Sequence, residues 1–69
     1  MTLDPRIIKY NMKAMRTKAG LSQEDAALML GITRQCISNY ERRPESLSIK
    51  RFIDLARIYG CDPSYFFTD

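Results

Sequence analysis

The sequence predicts an all-α fold, a compact five-helix bundle in one small domain, and three observations carry that prediction. Apolar residues recur three and four positions apart in the longer segments, and no segment reads as a strand. Small polar residues stand where helices begin, and glycines stand at Gly20, Gly31 and Gly60, where they end. The connections between these segments are short, so successive helices must pack against one another.

The elements follow in order. Helix 1 is expected over residues 5–18, with Asp4 as N-cap, Pro5 at the first helical position and a stripe of Ile8, Met12 and Met15. Helix 2, residues 23–30, opens on Ser22, with Asp25 three residues on as its capping-box partner. Ala26, Ala27 and Leu30 form its apolar face, and Gly31 takes the left-handed turn that ends it. Thr33 caps helix 3, residues 34–42, whose inner face is Ile37 and Tyr40. The small Ala27 lets helix 3 approach helix 2 closely at a steep angle. A connector over residues 43–48 contains Pro44. Helix 4, residues 49–59, is capped by Ser48 and presents Ile49, Phe52, Ile53, Leu55, Ala56 and Tyr59 as its apolar face. Asp62 and Pro63 open a last short helix, residues 63–67, bearing Tyr65, Phe66 and Phe67.

Bulk composition limits the function classes. With 69 residues the chain is expected to be a single domain over 1–69, with a core too small to be more than marginally stable alone. It has no histidine and two cysteines, Cys36 and Cys61, so a zinc site and any other metal site are not expected. Nothing marks the chain as secreted, and a disulfide is not expected. The longest apolar run, Ala26–Leu30, is far short of the roughly 18 residues that cross a bilayer. The N-terminal residues include Asp4 and Pro5 and show no apolar leader core, so a cytoplasmic location is expected. The net charge is +3, and the excess lies in residues 1–43, which hold eight Lys and Arg against four acids; residues 44–69 hold three against four. With no histidine, no Gly-rich phosphate loop and no paired-carboxylate cleft, an enzyme is not expected, nor a cofactor or a small-molecule ligand.

What remains is the outer face of helix 3. Arg34, Gln35, Ser38 and Asn39 fall on the side opposite Ile37 and Tyr40. These side-chain types reach base edges in the major groove of DNA: arginine pairs with guanine O6 and N7, glutamine or asparagine with adenine N6 and N7. Arg42 and Arg43 follow them, placed to meet the flanking phosphates.

At these residues the chain resembles the Cro/repressor helix-turn-helix family of bacterial and phage regulators, the xenobiotic-response-element type, whose fold is lambda-repressor-like. The resemblance covers about residues 7–67. It rests on Arg16, on Gly20 to Gln23, on Ala27, on Leu30 to Thr33, on Ile37-Ser38, on Tyr40-Glu41 and on Leu55-Ala56. Arg43 and Leu47 depart from the pattern, which has Gly and Pro there, and leave the loop conformation open, with Pro44 placed to compensate.

The resemblance implies a double-stranded DNA-binding transcriptional regulator, repressor or activator, with helix 3 as the recognition helix in the major groove. Arg34, Gln35 and Asn39 match its base-reading positions, with Ser38 beside them. Gln23 matches a phosphate contact at the start of helix 2, and Ser22, Thr33, Tyr40, Arg42 and Arg43 are expected to face the backbone around it, Tyr40 chiefly as a packing residue. Arg16 and Glu41 match a partly buried ion pair that ties helix 1 to the end of helix 3. The family often dimerises through the helix 4–5 region, which here holds Tyr59, Tyr65, Phe66 and Phe67; a symmetric dimer on a pseudo-palindromic operator would follow. The alternative is a protein-interaction module of the same fold, an antitoxin or adaptor, with Leu28 and Met29 as its surface. Cys36, in the first turn of helix 3, is expected to fill space rather than act as a redox switch.

Overall fold

The structure, a computed structural model, describes residues 4–68; the ends of the expected domain, residues 1–3 and 69, lie outside the described residues. Four α-helices form it: α1 (Pro5–Lys18), α2 (Gln23–Leu30), α3 (Arg34–Arg42) and α4 (Ile49–Tyr59), with two short 3-10 helices at Pro44–Ser46 and Pro63–Phe67. No strand occurs among the described residues. The expected fifth α-helix is thus corrected: Pro63–Phe67 winds as a 3-10 helix of five residues. The Tyr65 N–H donates to the Asp62 carbonyl at 3.0 Å, a three-residue closure. A run this short, opened by a proline, gains little from the wider α-turn.

Local chemistry explains the boundaries. The Asp4 carboxylate accepts from the Arg6 N–H and starts α1. Ser22 and Asp25 exchange two hydrogen bonds of 3.0 Å each, the reciprocal box expected at the head of α2. Gly31 ends α2 at φ 69°, and the Ile32 N–H returns to the Ala27 carbonyl at 3.0 Å. That left-handed turn needs no side chain, and a Cβ would be strained there. Thr33 and Ser48 cap α3 and α4 in the same way, through the N–H groups of Cys36 and Arg51.

The core is small and built from all four helices. Ile8 and Met12 of α1, Ala26 and Ala27 of α2, Ile37 of α3, and Leu55, Ala56 and Tyr59 of α4 surround Phe66, which is fully buried. Phe52 packs against Phe66 and Phe67 with ring centroids 6.0 and 5.2 Å apart, and Tyr59 meets Phe66 edge-on at 6.3 Å. Two expectations for α4 are corrected. Ile49 and Ile53, expected on its apolar face, are 79% and 42% exposed. The face that packs is the narrower stripe Phe52, Leu55, Ala56 and Tyr59, and Ile53 lies about 100° round the helix from Phe52. No helix of the described residues is long and apolar enough to cross a membrane.

The connector after α3 settles into its own geometry. Arg43 sits at φ −134°, a negative value open to residues other than glycine, so the glycine of the family pattern is not required. Leu47 sits at φ −80°, close to the angle a proline ring imposes. Pro44 is buried beneath the turn, and the Arg43 carbonyl accepts from the Ser46 N–H and hydroxyl at 2.9 and 2.7 Å.

Candidate nucleic-acid interface

The residues that fix α3 come first. Arg16 is 7% exposed, deep in the α1–α3 contact. Its Nε donates to Glu41 Oε2 at 2.6 Å, Nη2 to Glu41 Oε1 at 3.2 Å, and Nη1 to the Leu21 carbonyl at 2.8 Å. A two-pronged pair satisfies both carboxylate oxygens at once, the geometry in which an arginine–carboxylate pair holds best. The pair expected from the resemblance is therefore present, and it does more than join two helices. Through Leu21 it also fastens the turn that leads into α2. Gln23 completes the cluster, its Nε2 donating to Glu41 Oε1 at 3.2 Å. Neither the Leu21 nor the Gln23 contact leaves a signal in spacing alone, because each depends on how α1, α2 and α3 converge.

With α3 held from behind, its other side faces water. Arg34, Gln35 and Asn39 are exposed and Ser38 is half-buried, whereas Ile37 is 1% exposed and Tyr40 is half-buried. Tyr40 lies beneath the Arg51 guanidinium, 6.0 Å from its ring centroid, which fits its expected packing role. From Arg34 to Asn39 the helix rises about 7.5 Å, a span of roughly two base-pair steps. Arg34 makes no hydrogen bond or ion pair among the described residues and keeps all its donors free. Asn39 Oδ1 accepts from Gln35 Nε2 at 3.2 Å and from Arg42 Nη2 at 2.7 Å, so three of the outer side chains form one array.

The expected backbone contacts divide into two groups at opposite ends of α3. Gln23 reaches Glu41, which puts the head of α2 beside the C-terminal end of α3, together with Ser22, Arg42 and Arg43. Thr33 stands alone at the other end. Ser22 and Thr33 are exposed, but each hydroxyl oxygen already accepts a capping N–H, from Asp25 at 3.0 Å and Cys36 at 3.2 Å. One N–H of the Gln23 amide is committed to Glu41, leaving the second for an external acceptor. Arg42 and Arg43 are exposed and have no acidic partner among the described residues. With Cys36, Asn39, Tyr40 and Ser46 they line an open cleft between α3 and the turn that follows it.

Other expectations resolve more simply. Cys36 is half-buried, and the Thr33 hydroxyl donates to its sulfur at 3.2 Å; Cys36 and Cys61 are both free thiols. Of the aromatic residues assigned to a dimer contact, Tyr59 and Phe66 are 7% and 0% exposed. They are committed to the core of their own chain, and that burial keeps them from a dimer surface. Burial also pushes the Tyr59 phenol well above its ordinary range, with the nearby Glu41 charge acting in the same direction. Tyr65, by contrast, is 54% exposed.

This geometry agrees with what the chain is similar to. The sequence model of the helix-turn-helix family matches residues 12–66, most of the chain. A protein of Rhodospirillum rubrum, named an uncharacterized transcriptional regulator in the ATPase CF(0) region, is 34% identical over 62 residues, covering 90% of this chain. The chain spans 57% of that relative's length. No solved structure matches the chain significantly. Two capped helices joined by a left-handed glycine, locked to α1 by a buried ion pair, lie within the matched residues, and the chain belongs to the Cro/repressor-type helix-turn-helix family of DNA-binding regulators.

Proposed function

We propose that the chain is a sequence-specific double-stranded DNA-binding transcriptional regulator that inserts α3 into the major groove. The observation that carries this reading is the outer face of α3: Arg34, Gln35 and Asn39 are exposed, and among the described residues no acid neutralises Arg34, Arg42 or Arg43. Arg34 reads guanine through O6 and N7, and Ser38 lies beside it at the groove wall. Gln23, Ser22, Arg42 and Arg43 meet phosphates at one end of the helix and Thr33 at the other, with the Tyr40 hydroxyl as a further donor. These contacts set position and affinity, while the base edges set sequence.

The working form is a homodimer on a pseudo-palindromic operator. Two copies related by a twofold axis place their recognition helices about 34–36 Å apart, one turn of DNA. With Tyr59 and Phe66 in the core, Tyr65 and the half-buried Phe67 remain of the expected contact, and the exposed Ile49 and Ile53 stand ready to join them against a second copy. The name of the Rhodospirillum rubrum relative supports the regulatory role; whether that role is repression or activation depends on where the operator lies relative to a promoter.

The test is a gel shift on random duplex at two salt concentrations, followed by selection from a randomised library. Binding that falls steeply with salt and enriches an inverted repeat supports the reading. Arg34→Ala is expected to weaken specific binding by about 1–3 kcal/mol and to relax one position of the site. An equal loss on all sequences would make Arg34 a phosphate contact. A second reading rests on Leu28 and Met29, which are 75% and 55% exposed on α2: the chain would then be an adaptor or antitoxin that binds a protein partner. Absence of any shift at low salt would favour it.

A further inference from the structure

The hydrogen-bond array on α3 has a polarity, and the polarity selects bases. A guanidinium only donates, so the Asn39 atom 2.7 Å from Arg42 Nη2 must be the acceptor, Oδ1. The Gln35 atom that meets the same oxygen at 3.2 Å must then be the donor, Nε2. Both lone pairs of Asn39 Oδ1 are thereby used, and what Asn39 has left to present is its NH2 group, two donors and no acceptor. Gln35 keeps the opposite mixture, a free Oε1 acceptor and one remaining N–H.

Resting on the DNA-binding reading above, we infer that Asn39 selects a guanine, with thymine second, that Gln35 selects adenine, and that Arg42 sets this division by holding the Asn39 amide. Guanine offers two acceptors, N7 and O6, in the major groove, and thymine offers O4. Adenine pairs an acceptor with a donor, N7 with N6–H, which the free end of Gln35 matches and that of Asn39 does not. This differs from the simplest expectation, in which both amides read adenine. Arg42 is a positioning residue here: its remaining N–H groups stay free for a phosphate, and a phosphate contact would anchor the guanidinium that orients Asn39.

The experiment is selection from a randomised duplex library by the full chain and by Asn39→Ala, Arg42→Met and Arg42→Lys. Both sites are exposed, and thermal melts verify that the three variants fold. The site position whose preference Asn39→Ala erases is expected to be guanine in the parent. Arg42→Met releases the Asn39 amide to rotate and is expected to raise adenine relative to guanine at that same position by at least about fivefold. Arg42→Lys keeps a donor-only cation and is expected to retain guanine. A purely phosphate-binding Arg42 would instead lower affinity in Arg42→Met without moving any base preference, which overturns the inference. So does adenine at the Asn39 position in the parent. Enrichment of some other defined site overturns only this assignment; no enrichment by the parent chain overturns the DNA-binding reading as well.

Discussion

Arg16 and Glu41 show how much one pair of side chains can decide. Both side chains are about nine-tenths buried, and Glu41 also receives the Gln23 amide. Taking two charges out of water is costly, and the pair persists because each nitrogen and oxygen it buries has a partner; among the described residues no buried side-chain polar atom lacks one. Glu41→Ala would leave the guanidinium buried without its counter-charge and is expected to cost about 3–5 kcal/mol in stability. A thermal melt checks it, and an unchanged melting temperature would count against the pair as the lock on α3. Replacing both partners with apolar residues of similar volume, as in Arg16→Met with Glu41→Leu, is expected to recover much of the loss. The pair was legible in the sequence through the family pattern. Its links to Leu21 and Gln23 were not, because one ends on a backbone carbonyl and the other depends on how α2 and α3 converge in space.

The helices themselves were the most legible level. The bounds of all four α-helices follow from caps and stops that act within a few residues: Asp4, Ser22, Thr33 and Ser48 at the starts, and Gly31 and Gly60 at two of the ends. These caps carry a pH dependence. Hydrogen bonds from Ser22, its backbone N–H first, hold the Asp25 carboxyl below the ordinary carboxylate value. The unfolded chain, where Asp25 titrates normally, therefore binds the proton more readily than the folded chain. The stabilisation is complete above the ordinary value and is lost as the pH falls through the lowered one. Melting curves of the parent and Asp25→Ala are expected to differ most near neutrality and to converge as the pH drops below about 4. A difference that stays constant down to the acid limit would mean the carboxylate is not the capping group. The 3-10 geometry of Pro63–Phe67 was less legible, since propensity marks a short helix there without fixing its winding.

At the scale of the molecule, the C-terminal turn closes the core. Phe66 is fully buried, and Asn11 of α1 donates through Nδ2 to the carbonyls of Phe66 and Thr68 at 3.1 and 2.6 Å. One aromatic plug and one amide clamp thus fasten the end of the described chain to its first helix. Phe66→Ala is expected to cost about 3–5 kcal/mol, a large share of what so small a domain has to lose. Tyr65→Ala, one residue away but 54% exposed, is expected to change stability by no more than about 0.5 kcal/mol in the monomer. Urea unfolding of the two variants checks the contrast, and equal losses would show that the turn is not seated in the core. Adjacent aromatics look alike in sequence; the difference between them is which one the tight turn points inward.

The sequence by itself determined the helices, their caps and the identity of the polar outer face of α3, because these depend on interactions spanning one or two turns. It also carried the glycine turn of Gly31 and the small Ala27 that lets α2 and α3 meet. The tertiary structure alone decided which apolar residues are core, leaving Ile49 and Ile53 outside and taking Tyr59 and Phe66 within. It decided that Arg43 and Leu47 adopt backbone angles open to any residue. And it joined Gln35, Asn39 and Arg42 into a hydrogen-bonded array whose direction spacing does not encode. The physical reason is common to all three: burial, the course of a connecting loop and hydrogen-bond direction depend on where side chains and other elements arrive in space, and the local pattern of residues does not contain that information.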